Sequence, residues 1–167
     1  MRRSAVPNAA RSGSLACVLL LVCSSFLPAL SRADFDRVVD FSVTLKTLAS
    51  AADGKAPLPV GKMLLLSGTV SDVSILSKDE ATFRVRIELI AGEWIGLEDV
   101  KAYACYVDFA GPEFFKVFPA RPPRNATPGI VVPDSRVVVI GSAQEVTTSP
   151  LGEKRVRVQG AYIRIIE

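Results

Sequence analysis

Four side chains in this sequence are suited to holding a ligand: Arg84, Arg86, Trp94 and Tyr106. Arg84 and Arg86 stand two apart in the alternating stretch TFRVRIELI. On a strand that spacing puts both on one face, about 7 Å from each other. Trp94 follows in AGEWIGLED, and Tyr106 lies in the next apolar stretch. Guanidinium groups beside exposed rings suit an oligosaccharide, a single strand of nucleic acid or a protein surface. The competing reading is an ordinary solvated strand face, with Glu88 and Asp108 pairing with the arginines.

The residues that would carry catalysis are missing or scattered. The chain has no His, which removes His-based triads and His metal sites. There is no GxSxG, no Gly-rich phosphate loop and no Cys–His pairing. Carboxylates are plentiful: Asp72, Asp79, Glu80, Glu88, Glu93, Glu98, Asp99, Asp108, Glu113, Asp134, Glu145 and Glu153. Two of them could serve hydrolysis, but none sits in a motif, and Glu98-Asp99 alone does not make an oxygen-ligand metal site. The residues therefore point to a non-catalytic protein without cofactor or metal, with a carboxylate-based envelope hydrolase as the alternative.

The elements that must position these side chains follow from hydrophobic spacing. Residues 34–61 read as an N-terminal helix and linker: Phe35, Val38, Val39, Phe41, Leu45 and Leu48 form a roughly helical stripe, stopped by Asp53-Gly54 and Pro57-Leu58-Pro59. The β-branched residues leave room for part of this segment to be extended. Residues 62–167 read as strands. Met63–Ile75 is long and interrupted by Gly68, where a bulge or bend is expected. Thr82–Ile90 turns Phe83, Val85, Ile87 and Leu89 inward. Residues 91–99 read as a loop. Val100–Phe109 buries Tyr103, Cys105, Val107 and Phe109. Pro112 suits a short helix carrying Phe114, Phe115 and Phe118. Pro119–Pro128 is a loop, with Arg121-Pro122-Pro123-Arg124 as a rigid basic spacer. Ser135–Val146 and Lys154–Ile166 complete the strands, and Gly160 marks a second bulge. Lys154, Arg155 and Arg157 read as a charged sheet edge.

Residues 1–33 have a basic start, an apolar run from Leu15 to Leu27 and small residues at Ser31 and Ala33, the three parts of a secretory signal peptide. The run of 13 residues is short of the roughly 20 that span a bilayer. The expectation is a mature protein beginning near Asp34, periplasmic or secreted, with no membrane span. The alternatives are an uncleaved signal anchor or a lipid on Cys17. Removing Arg2, Arg3, Arg11 and Arg32 from the 20 basic residues leaves 16 against 17 acids, a net charge of −1. The excess of +3 in the whole chain therefore says nothing about an anionic partner. After cleavage Cys105 is the sole Cys, and it is expected to be buried rather than reactive.

The stretches SGTVSDVSI, FRVRIEL, KAYACYVDF, SRVVVIGSAQEV and KRVRVQGAYIRI together resemble small exported bacterial OB-fold proteins, in which one barrel follows a signal peptide. The resemblance covers roughly residues 62–166. It implies an all-β fold with a short N-terminal helix, a five-stranded Greek-key barrel with its ligand face on the second and third strands. A small β-sandwich is the other architecture with this pattern. The function so implied is an exported, non-catalytic binding protein of the cell envelope, with a protein or glycan partner held by Arg84, Arg86, Trp94 and Tyr106. A single-stranded nucleic-acid-binding module is the second alternative, disfavoured here by the charge of −1 and by export.

Overall fold

Alternation of aliphatic and polar residues along the chain produces five long strands. The computed structural model describes residues 38–96, 99–121 and 127–166. Its long strands are β2 (Met63–Ser77), β3 (Arg84–Ile95), β4 (Asp99–Ala110), β5 (Arg136–Thr148) and β6 (Lys154–Ile165). A two-residue β1 (Val39–Asp40), a helix α1 (Leu45–Ala52) and a 3-10 turn (Pro112–Phe114) complete the elements. β3 lies antiparallel between β2 and β4. β6 runs parallel to β4 and antiparallel to β5, and β5 returns to β2. One sheet closes on itself in the order β2-β3-β4-β6-β5, which is the OB-type Greek-key barrel and not a sandwich of two sheets. β1 adds a short sixth strand, parallel to β2 at Met63 and Leu64.

Closure depends on the long β2. Its first half, Met63–Thr69, pairs with β5, and its second half, Thr69–Ser77, pairs with β3. Gly68 sits where the two pairings meet. A Cβ there would lie 2.6 Å from the Ile90 carbonyl oxygen, so a side chain would push β3 away. On β6, Gly160 pairs with Gly141 at a register shift and lies under the Phe109 ring. Both interior glycines thus mark sharp bends of the barrel wall.

The inward residues of the strands, among them Leu64, Leu66, Val85, Ile87, Leu89, Val107, Val137 and Val156, are fully buried. Phe114 and Phe118 close on Phe109 with ring centroids 4.9 and 5.6 Å away, and Phe115 meets Phe83 edge-on at 5.5 Å. α1 contacts β4, β6 and β2 through its buried Leu45, Leu48, Ala51 and Ala52.

Two local expectations change. The helix does not run unbroken to 52: Val38 is helical, Val39–Asp40 is extended, and helix resumes at Leu45. The Asp40 carboxylate accepts from the Ser42 amide (3.0 Å) and hydroxyl (2.6 Å), a local bond that competes with helix. Thr44 then starts α1 as its N-cap, in a reciprocal capping box with Thr47. Residues 91–96 are also not a loop. β3 continues through Trp94 to Ile95, paired with β4 from Asp99. The export segment 1–33 with Cys17, Glu98, the spacer at Pro122–Arg124 and Asn125-Ala126 lie outside the described residues. Among the described residues no helix is long and apolar enough to cross a membrane.

Cys105 is fully buried on the inner face of β4. Burial, with Glu88 nearby, pushes its thiol up to about 12. The folded protein is therefore expected to react slowly with a bulky disulfide reagent at pH 8 and quantitatively once unfolded. Complete labelling of the native protein within minutes would contradict this placement.

Candidate functional site

The alternation of β3 and β4 puts Arg84, Arg86 and Glu88 on the outside of the barrel, opposite Ala110, Asp108 and Tyr106. Beside β4 lies β6, which sets Arg157 next to Tyr106 and Gln159 next to Asp108. The outer face of β3, β4 and β6 thus carries four guanidinium groups, Arg84, Arg86, Arg155 and Arg157, with Arg86 and Arg157 beside the Tyr106 ring and Arg84 four positions along β3 from Glu88, the partner of Tyr106, about 13 Å away.

The acids on this face are tied to the arginines. Arg86 donates from Nε to Asp108 Oδ1 (2.7 Å) and from a terminal nitrogen to Oδ2 (2.8 Å). This is a bidentate pair, with the Asp108 residue only 6% exposed. The Asp108 hydrogen bond holds the Arg86 proton more tightly than usual. Gln159 donates to the Asp108 backbone oxygen at 3.0 Å. Glu88 accepts from the Ser71 hydroxyl at 2.7 Å, and its other oxygen is 3.8 Å from Arg155 Nε. Arg155 also pairs with Glu153. Arg157 meets Glu145 at 2.9 Å. The Arg86 guanidinium lies 5.3 Å from the centre of the Tyr106 ring, within cation–π range. Arg84 is exposed and has no ion-pair or hydrogen-bond partner among the described residues.

The four residues expected from the sequence are therefore placed differently from one another. Arg86 and Tyr106 come together, while Arg84 shares their face farther along β3, opposite Ala110. Trp94 has the same outward parity but lies six positions along β3 from the partner of Tyr106, about 20 Å away. It stands 71% exposed near the end of the β3–β4 hairpin. Arg86 forms a structural ion pair with Asp108. Arg155 and Arg157 do not form a sheet edge, because β6 is enclosed between β4 and β5. The Greek-key order, with its fifth barrel strand beside the third, is the signal that could have placed them on the outer face of β3 and β4. For hydrolysis, two acids would have to converge without being neutralised by bases. Here Asp108, Glu88 and Glu145 each face a guanidinium, and a cleft of about 400 Å³ beside α1 contains the single carboxylate of Glu93. Among the described residues no three His, Cys, Asp or Glu gather to hold a metal ion.

No protein-family model matches the chain, and no curated protein matches it. Solved structures of similar architecture do. PriB from Ralstonia solanacearum is 9% identical, with a TM-score of 0.39, over 63% of this chain and 97% of that one. The N-terminal domain of PriB from Thermoanaerobacter tencongensis is 10% identical, with a TM-score of 0.39, over 63% and 96%. A small single-stranded DNA-binding protein from Streptomyces coelicolor is 14% identical, with a TM-score of 0.40, over 62% and 91%. All three are named as PriB or as a single-stranded DNA-binding protein, and none as an envelope protein. The expectation of a secreted, periplasmic binder of an envelope protein or glycan is withdrawn on that finding. So is the exclusion of nucleic acid as a partner.

Proposed function

We propose that the barrel is a single-stranded nucleic-acid-binding OB module whose strand crosses the outer face of β3, β4 and β6. The observation that carries this reading is the Tyr106 ring flanked by guanidinium groups on the open face of the barrel. An unstacked base has a flat π-face that can lie on Tyr106, and phosphate oxygens match the remaining N–H donors of the arginines. A base inside a duplex cannot reach the ring, so the site favours single strands. The acids fix the arginines in position but do not use all their donors: Arg86 gives Asp108 one edge of its fork. The field is local to the face, which is how a chain of net charge −1 beyond residue 33 can still bind a polyanion.

Titrating the full chain into a fluorescent twelve-nucleotide poly-dT strand tests this. Binding is expected to be tighter than to a duplex of equal length. With two or three phosphate contacts, log K should fall against log salt with a slope of about −1.5 to −2. Tyr106→Ala should weaken binding about 10- to 100-fold, the stacking energy of about one base. No binding at low salt, or an unchanged affinity in Tyr106→Ala, would refute the assignment.

A further inference from the structure

The sheet has an open slot between β2 and the far half of β3. β3 pairs with β4 as far as Ile95 but with β2 only as far as Ile90, because the first half of β2 pairs with β5 instead. Three contacts fix which way the free backbone groups point. The Gly111 amide donates to the Phe83 carbonyl at 3.0 Å, so Phe83 and the odd-numbered residues of β3 face β4. The Ile90 carbonyl points at Gly68, and the Ser71 hydroxyl donates to the Glu88 carbonyl at 3.3 Å, so the even-numbered residues face β2. Gly92 and Trp94 therefore turn their N–H and C=O groups into the space that β2 leaves, without a hydrogen-bond partner among the described residues. On the other side, the Val70 amide donates to Ser135 (2.9 Å) and the Val70 carbonyl accepts from Asp134 (2.8 Å), just before β5. Ser67 has the opposite parity and turns its backbone away from β5, into the same space. Two adjoining clefts of about 400 and 270 Å³ occupy it, sharing Ser67, Ala91 and Gly92. Free edges are usually guarded by Lys, Pro or a bulge. This one has Glu93, already held by Lys46 and by the Tyr103 hydroxyl (both 2.8 Å), and beside it Trp94 and its cross-strand neighbour Val100, both exposed.

We propose that this slot takes an extended peptide segment of a partner protein by strand addition, with an apolar residue against Trp94 and an acidic residue at Arg136. Unpaired N–H and C=O groups at strand spacing are satisfied together by another extended backbone, which carries the same groups at the same spacing. A phosphate accepts hydrogen bonds but does not donate, so a nucleic-acid backbone would leave the carbonyls of Gly92 and Trp94 unmatched. Charge selects the acidic residue. Arg136 is the one charged side chain among the described residues lining the smaller cleft. It is exposed, and its guanidinium has no ion-pair or hydrogen-bond partner among the described residues. In the larger cleft Lys46 and Glu93 neutralise each other. The slot thus keeps one unspent positive charge, at its closed end beside Gly68 and Thr69, which complements a carboxylate on the peptide. The slot lies beyond Ile90 on β3, away from Arg84 and Arg86, so the peptide and the proposed nucleic-acid strand use different parts of β3.

Trp94 is the single Trp of the chain, so its fluorescence reports on the slot. The probe is a synthetic heptapeptide of alternating valine and threonine, with aspartate at both ends and blocked termini, titrated into the full chain. The Trp94 emission should shift to the blue and saturate below about 1 mM peptide. Two further peptides carry N-methyl groups on alternate amides, one peptide in each parity. At least one of them should bind about tenfold more weakly, the loss expected when backbone hydrogen bonds are removed while every side chain stays. Arg136→Glu, at an exposed position, should weaken binding about tenfold, and lysine in place of the peptide's aspartates should restore it. Tyr106→Ala should leave the peptide affinity unchanged. No emission change at about 1 mM peptide would overturn the proposal. So would equal binding of the parent and both methylated peptides, or binding indifferent to Arg136→Glu. An emission shift produced by poly-dT and not by the peptide would assign the slot to nucleic acid and overturn it as well.

Discussion

Phe109→Ala is expected to cost about 3–5 kcal/mol of stability, the usual loss for deleting a buried aromatic side chain. Phe109 is fully buried, packs on Phe114 and Phe118, and fills the space that the missing Cβ of Gly160 leaves open. Its removal therefore opens a cavity beneath the bend of β6, where the wall cannot easily collapse. For a domain of this size the melting temperature should fall by roughly 10–20 °C. Gly160→Ala is the complementary change. In the native background its methyl group meets the Phe109 ring, an overpacking worth about 1–3 kcal/mol. In the Phe109→Ala background that cost should largely vanish, so the two effects should be strongly non-additive. Thermal melts of the two single variants and the double variant measure this. Additive losses would show that Phe109 and Gly160 do not share the space described.

The second large effect concerns Arg86. Arg86→Ala should destabilise the fold by about 2–3 kcal/mol, because it removes a bidentate charged hydrogen bond from the nearly buried Asp108. Arg84→Ala should change stability by no more than about 0.5 kcal/mol, since Arg84 is exposed and has no partner to lose. The two arginines thus separate into an anchor and a free contact. If the proposed nucleic-acid face is right, Arg84→Ala lowers oligonucleotide affinity and flattens the salt dependence by about 0.7, with an unchanged melt. Arg86→Ala lowers both. Denaturant unfolding of the two variants decides the structural half of this. Equal losses of stability would remove the distinction between them.

The face assignments along β3 and β4 were legible because a period of two needs no tertiary knowledge. Phe83, Val85, Ile87 and Leu89 point in, and so do Tyr103, Cys105, Val107 and Phe109, as their spacing implies. The glycine bends were legible for a related reason, since Gly inside an apolar strand serves a close approach that any Cβ would block. The loop at 91–99 was misread because Gly92 and Gly96 look like turn residues. Pairing with β4 outweighs that preference and carries β3 to Ile95. The continuity of the helix was misread because the apolar spacing of residues 35–48 fits one helix, while the Asp40–Ser42 bonds settle the backbone after Val38 in another form.

The sequence by itself determined the class of fold, the inward residues of the central strands and the absence of His chemistry. Composition and short-range periodicity are properties of the chain alone. Only the tertiary structure decided which arginines share a surface. Arg155 and Arg157 are about 70 residues from Arg84 and Arg86 along the chain, and only the parallel pairing of β6 with β4 brings them beside Tyr106. Nor could spacing show that Asp108 takes up Arg86 or that Trp94 stands apart. Each depends on register between strands distant in sequence. Register is set by barrel closure at Gly68, Gly141 and Gly160, and by the packing of the Phe109 cluster, both of which exist only once the whole sheet has folded.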